Sequence, residues 1–156
     1  MSMSTHPAPP ASLTRRAALV AAPFVVGALA TSIAFLLLRD SFPDKIATHF
    51  TLDGSADGYS SPATTLGQYM LLFVIEAVGT MAAGFSSRSA LTTVRSLAVF
   101  ASGLSAATAY ALVAAMRAVS VSDGHGIQLP LYQLPVAIAV GAAVGAVVWL
   151  VSRRRA

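Results

Sequence analysis

"AALVAAPFVVGALATSIAFLLL", residues 17–38, is a run of 22 residues without a charge. As an α-helix rising about 1.5 Å per residue it would cross a hydrocarbon core about 30 Å thick. Arg15 and Arg16 stand before it and Arg39 and Asp40 after it, so charge that prefers water bounds the run on both sides. That pattern predicts a membrane-spanning helix. Working outward, three further runs have similar length and borders: Leu66 to Phe85, Ser96 to Met116 and Leu131 to Val151. The chain of 156 residues is 56% hydrophobic and 10% charged, with a mean hydropathy of +0.72. An ordinary soluble domain carries about a quarter charged residues, so lipid is the expected solvent for most of this surface. The expected fold class is an all-α integral membrane protein, a four-helix transmembrane bundle with a short extracellular loop as its cap.

These borders organise the chain. Residues 1–16, rich in Ser, Pro and Thr, read as a disordered cytoplasmic tail. Residues 17–85 hold two spans joined by an external loop at 39–65, and residues 86–156 hold two further spans ending in a basic C-terminus. Arg15-Arg16, an apolar stretch and Ala28-Leu29-Ala30 also have the outline of a cleavable signal. The apolar run continues through "TSIAFLLL", beyond the usual apolar core of a signal, which favours a retained helix.

Lysine and arginine set the orientation. With the N-terminus inside, Arg15, Arg16, Arg88, Arg95, Arg153, Arg154 and Arg155 face the cytoplasm, while Arg39, Lys45 and Arg117 face outward. This asymmetry predicts a protein of the cytoplasmic (inner) membrane with both termini in the cytoplasm. Tyr69, Tyr132 and Trp149 fall near span ends, where amphipathic rings favour the headgroup region. The net charge of +4 and the isoelectric point near 10.1 come from arginines that punctuate apolar runs. They form no basic stripe with interleaved aromatics, so nucleic acid is not an expected partner. The absence of cysteine excludes disulfides and thiolate chemistry.

In lipid, close packing and polar contacts must hold the helices together. Gly27 and Thr31, then Gly103, Ala107 and Ala111, then Ala137, Gly141 and Gly145 repeat at four-residue spacing, which stacks small side chains on one helical face. Packing inside the bundle is their simpler role, and a homo-oligomer face the alternative. The second span carries the single intramembrane carboxylate, Glu76. Helical spacing places Gln68, Tyr69, Glu76, Gly79, Thr80 and Ala83 on one side, toward protein, and Leu71, Val74, Ile75, Val78 and Phe85 on the other, toward lipid. An acid at mid-membrane costs about 2.5–3.5 kcal/mol on insertion scales. Protonation or a hydroxyl partner would lower that cost, the candidates being Thr80, Ser102, Ser105, Thr108 and Tyr110.

The charge that the spans lack is concentrated in and beside "FPDKIATHFTLDGSADGYSSP", residues 42–62, where Asp40, Asp44, Asp53 and Asp57 surround His49. Pro43 prevents simple continuation of the first helix. The alternation of Ile46, Thr48, Phe50 and Leu52 with Ala47, His49 and Thr51 predicts a short extended segment or one lying on the membrane surface. Asp53-Gly54 and Asp57-Gly58 are both turn signals. A cap this small cannot bury a core of its own, so it must rest on the outer helix ends. His49, Asp53 and Asp57 are hard-cation ligands by type, and "DGSADG" opens like a calcium loop. Thr64 stands where the closing bidentate Glu belongs, so that match fails and no metal or cofactor is expected. His49 is suited either to sensing external pH or to tying the cap together by a hydrogen bond. Nothing positions a nucleophile with its base, so the chain is expected not to be an enzyme.

The loop resembles that of a widespread bacterial membrane domain of unknown function, which also forms the N-terminal part of SdpI-like proteins, immunity proteins against the sporulation-delaying toxin. Pro43, Asp44, Ile46, His49, Phe50, Gly54, Asp57, Gly58 and Tyr59 stand at matching places. Phe42 replaces the usual Leu, Ala47 and Ala56 replace prolines, and Pro62 stands where a Lys often follows. The resemblance spans the first helix, the loop and part of the second helix. Together with Asp53 from the turn signal, it gives a candidate loop site of Pro43, Asp44, His49, Asp53, Gly54, Asp57 and Gly58, and it implies a role in immunity to, or sensing of, a membrane-active peptide or envelope stress. The alternatives are a small ion- or proton-coupled transporter using Glu76, and an accessory subunit of another membrane protein. Membrane lipids are expected partners, for which "SRRRA" at the C-terminus has the charge. A peptide toxin or another membrane protein is the further candidate.

Overall fold

The computed structural model describes residues 13–86, 93–122 and 126–154. Residues 1–12 of the expected tail, with Arg88 and Arg155, lie outside the described residues. The described chain forms four helices, α1 (Leu13–Leu38), α2 (Pro62–Phe85), α3 (Val94–Ser120) and α4 (Gln133–Arg153). Each is long and apolar enough to cross a membrane, as the four runs predicted. The remaining regular structure is an antiparallel hairpin of β1 (Ile46–Phe50) and β2 (Ala56–Ser60) between α1 and α2.

α2 and α3 begin ahead of their apolar stretches, where polar residues cap them. Ser61 accepts the Thr64 amide with Pro62 in the first turn of α2, and Thr93 accepts the Ser96 amide at the start of α3. Each cap satisfies an amide that the helix cannot. At its far end α1 tightens into a 3-10 turn, Arg39–Ser41, just before Pro43.

α3 is the central element, packing broadly on α1 and α4 and more sparingly on α2. One apolar cluster joins Val20 and Phe24 of α1, Phe73 of α2, and Leu97 and Ala101 of α3. The other gathers Phe35, Tyr69, Met116 and Val119 at the opposite helix ends with Ile46, Ala47 and Ile127. The hairpin therefore sits where α1 ends, α2 begins and α3 ends. Outside, Leu37 is 79% and Ile138 70% exposed, aliphatic side chains that lipid solvates.

The expected lipid face of α2 is exposed throughout, from Leu71 to Phe85. Its inward face differs from the expected set. Gln68 and Gly79 are exposed, while Phe73 and Gly84 join Tyr69 and Thr80 inside. The Phe73 ring reaches the α1 backbone, since a Cβ on Gly27 would lie 2.8 Å from its edge. Tyr69 is only 6% exposed and sits under the hairpin instead of in a headgroup belt. The small-residue spacings serve contacts within the bundle. A Cβ on Gly141 would lie 2.6 Å from the Gly103 carbonyl oxygen, and one on Gly27 would collide with Ser105 Oγ.

Candidate functional site

The hairpin is built from the chain's densest cluster of turn formers and is fastened at two places. At its base Ile46 and Ala47 are fully buried, and the Phe42 ring packs 5.1 Å from Phe35. The ladder pairs Ile46 with Ser60, Ala47 with Tyr59, His49 with Gly58 and Phe50 with Ala56, and its register shifts on both sides of His49. The expected alternation holds from Thr48 to Phe50, with His49 outward, and fails at the base, where Ile46 and Ala47 are both buried.

Asp53 organises the tip. Its carboxylate accepts the Ser55 amide at 3.1 Å and the Thr51 hydroxyl, while the Gly54 amide donates to the Thr51 carbonyl at 2.9 Å. This is an Asx turn. The Thr51 hydroxyl first, then the Ser55 amide, hold the Asp53 carboxyl below the ordinary aspartate range. Gly54 takes φ +85°, a left-handed conformation that favours glycine. Only this first turn signal makes a turn. Asp57-Gly58 lies within β2, where Gly58 faces His49 and a Cβ would come 2.8 Å from the His49 Cβ.

The second fastening comes from the segment between α3 and α4. The Leu129 amide donates to the Gly54 carbonyl at 2.9 Å, the Ala56 amide donates to the Ile127 carbonyl at 3.1 Å, and Ser55 pairs antiparallel with Gln128. Sequence reasoning missed this clasp. "GIQLP", residues 126–130, is too short to show a strand period, and its partner is remote in the chain.

His49 and Asp57 meet across the hairpin, Nδ1 to Oδ1, at 2.5 Å, and both are exposed. Beside them opens a groove of about 430 Å³ between β1, α2 and α3. Thr48, His49 and Gln68 make its mouth polar, and Leu71, Leu72 and Ile75 make its walls apolar. One turn further along α2, Glu76 accepts a hydrogen bond from the Thr108 hydroxyl of α3 at 2.6 Å, and its other oxygen is buried with no partner. Among the candidate hydroxyls Thr108 is the one engaged. Ser105 instead donates to the Pro23 carbonyl, and Tyr110 donates to the Gln133 side chain, each at 2.7 Å.

The fold thus brings His49, Asp57 and Gly58 together at the middle of the hairpin and places Asp53 and Gly54 at its tip. Pro43 is half-buried and Asp44 exposed before β1, outside the ladder. Among the described residues no group of three or more His, Asp or Glu side chains converges. What the arrangement offers is hydrogen bonding by an exposed imidazole–carboxylate pair beside an amphipathic groove.

Residues 25–73 match the model of a domain of unknown function (DUF1648). No curated protein and no solved structure matches the chain. The matched segment contains the second half of α1, the whole hairpin and the first half of α2, while α3, the clasp and α4 lie beyond it.

Proposed function

We propose that this chain is a non-enzymatic protein of the cytoplasmic membrane whose external hairpin receives a membrane-active peptide or a related envelope stress, in immunity or in sensing. The observation that carries this reading is a hairpin fastened at base and tip, with the His49–Asp57 pair at the mouth of an amphipathic groove. A peptide that partitions into the membrane interface has the same two-sidedness. Its polar groups would meet Thr48, His49 and Gln68, and its apolar side chains would lie along Leu72 and Ile75. The resemblance of the loop to that of SdpI-like immunity proteins points the same way.

Both termini are assigned to the cytoplasm. Arg15, Arg16, Arg95, Arg153 and Arg154 lie at the end away from the hairpin, whereas Arg39, Lys45 and Arg117 share the hairpin end with four aspartates. That asymmetry supports an external hairpin. The test is deletion of the gene, challenge with a panel of membrane-active peptides, and complementation. The wild-type chain should restore resistance and His49→Ala should not; unchanged sensitivity across the panel defeats the proposal.

The unpartnered Glu76 oxygen favours a second reading, proton- or ion-coupled transport. Loss of pH-dependent flux in proteoliposomes carrying Glu76→Gln would support it. Flux that is absent from the wild-type chain, or unchanged by the substitution, leaves Glu76 as a packing residue.

A further inference from the structure

At the end opposite the hairpin, the start of α3 and the end of α4 meet at Trp149, the chain's single tryptophan. A terminal guanidinium nitrogen of Arg95 donates to the Trp149 carbonyl at 2.9 Å. The Arg95 and Arg153 guanidinium carbons lie 5.3 and 4.5 Å from the centre of the indole ring system. Such stacking holds two cations at one place. The sequence has no acidic residue before Asp40, between Glu76 and Asp123, or after Asp123. Among the described residues, no acidic side chain therefore lies beside Arg95 and Arg153.

Two grooves join here. The first, about 480 Å³, is lined by Thr93, Arg95, Ser96, Val99, Phe100 and Trp149. The second, about 600 Å³, shares Val99, Phe100 and Trp149 with it and continues between α3 and α4 past Gly103, Ala107, Ala142 and Ala146. The mouth is cationic and hydroxyl-bearing, and the trough is apolar. From Arg95 to Ala107 the path covers twelve helical steps of about 1.5 Å. That is close to the depth of one leaflet, about half of a 30 Å hydrocarbon core.

We infer that this continuous groove binds one anionic phospholipid of the adjoining leaflet, with its phosphate at Arg95 and Arg153 and one acyl chain in the α3–α4 trough. Charge and length select this occupant together. A soluble anion would fill the mouth and leave the trough empty. A zwitterionic lipid would bring an ammonium group against two arginines. Trp149 lies at the junction of head and chain, the level an indole favours in a bilayer.

Trp149 is also the reporter. The full chain is reconstituted in phosphatidylcholine vesicles, and its fluorescence is quenched with acyl-brominated phosphatidylglycerol or, separately, acyl-brominated phosphatidylcholine at the same low mole fraction. The anionic quencher should act as if enriched about fivefold or more over its bulk fraction, the factor that one near-surface arginine contributes. The zwitterionic quencher should act at its bulk fraction. Arg153→Gln should lower the enrichment, and so should Ala146→Phe, which fills the trough and keeps both arginines. Equal quenching by the two lipids around the wild-type chain overturns the inference, and that comparison needs no variant. Full anionic preference in Ala146→Phe overturns it as well, because the headgroup alone would then be what is bound.

Discussion

Gly54→Ala tests how the hairpin is held. The residue sits at φ +85°, and an added Cβ would collide with the Leu129 carbonyl oxygen. The left-handed backbone alone costs a residue with a Cβ about 1–2 kcal/mol. Relieving the collision requires the 127–129 segment to back away, which stretches the Leu129-to-Gly54 and Ala56-to-Ile127 hydrogen bonds of 2.9 and 3.1 Å. Each such bond contributes about 0.5–1.5 kcal/mol net. The local loss is therefore about 2–5 kcal/mol. Gly126 supplies the control, since it too is left-handed, at φ +62°, but nothing lies within 4 Å of an added Cβ. Gly126→Ala should lose only the backbone term, about 1–2 kcal/mol.

The assay is amide hydrogen exchange in nanodiscs, read at Ala56 and Leu129. When exchange proceeds through local opening, Gly54→Ala should speed both amides by about 30-fold to several thousand-fold, and Gly126→Ala by about 5- to 30-fold. Wild-type protection at both amides in Gly54→Ala would refute the clasp. Equal effects of the two substitutions would show that the collision with Leu129 does not occur. Neither change touches His49 or Asp57, so sensitivity to peptides in Gly54→Ala would further tie the function to a fastened hairpin.

Gly141→Ala would place a Cβ 2.6 Å from the Gly103 carbonyl oxygen and 3.0 Å from the Ala107 methyl. Forcing α3 and α4 apart by a few tenths of an ångström should cost about 1–2 kcal/mol of dispersion, with no hydrophobic drive between helices to offset it; an unchanged unfolding midpoint in detergent would count against the close crossing. Thr108→Val removes the donor to Glu76 and should cost about 0.6–2 kcal/mol, whereas Glu76→Gln keeps an acceptor for Thr108 and should cost less; equal losses in the same unfolding assay would argue against the bond. The folded-state pKa of Asp53 is lowered, so its stabilisation of the turn is complete above the ordinary aspartate pKa and is lost as pH falls through the lower folded value. After correction for intrinsic exchange, protection of the Ser55 amide should stay flat from neutral pH downward and fall only in strong acid. Asp53→Asn, which keeps the acceptor oxygen, should remove that acid step; a decline beginning near neutrality would point to a different group.

The spans were legible because a bilayer asks only for length and apolarity, and four runs provide both. The inward stripe of α2 was less legible. Polarity singled out Gln68 and Gly79, yet the space between α1 and α3 admits the Phe73 ring, and shape outweighed polarity there. Glu76 was legible as a buried acid needing a hydroxyl, but which hydroxyl depended on the rotation of α3. At the hairpin, alternation and two Asp-Gly pairs marked extended chain and turns. The register shifts beside His49, and the use of Gly58 as a strand residue facing His49, depend on the partner strand, which no single segment encodes. The clasp at 127–129 arises only when α3 has already carried the chain back to the hairpin.

That return makes α3 the element through which the two ends of the molecule meet. Met116 and Val119 pack beneath the hairpin, Thr108 holds Glu76 of α2, Ser105 holds the α1 backbone, Gly103 seats α4, and Arg95 reaches Trp149. All five contacts lie on one uninterrupted helix of 27 residues. A packed helix shifts as a body more readily than it stretches, because each backbone hydrogen bond fixes the next turn. Under the proposed function, a ligand that displaced the hairpin base would meet α3 first, at Met116 and Val119. The hairpin's anchorage on α3, more than its exposed residues, is therefore what ties it to the contacts that run along that helix to the basic end.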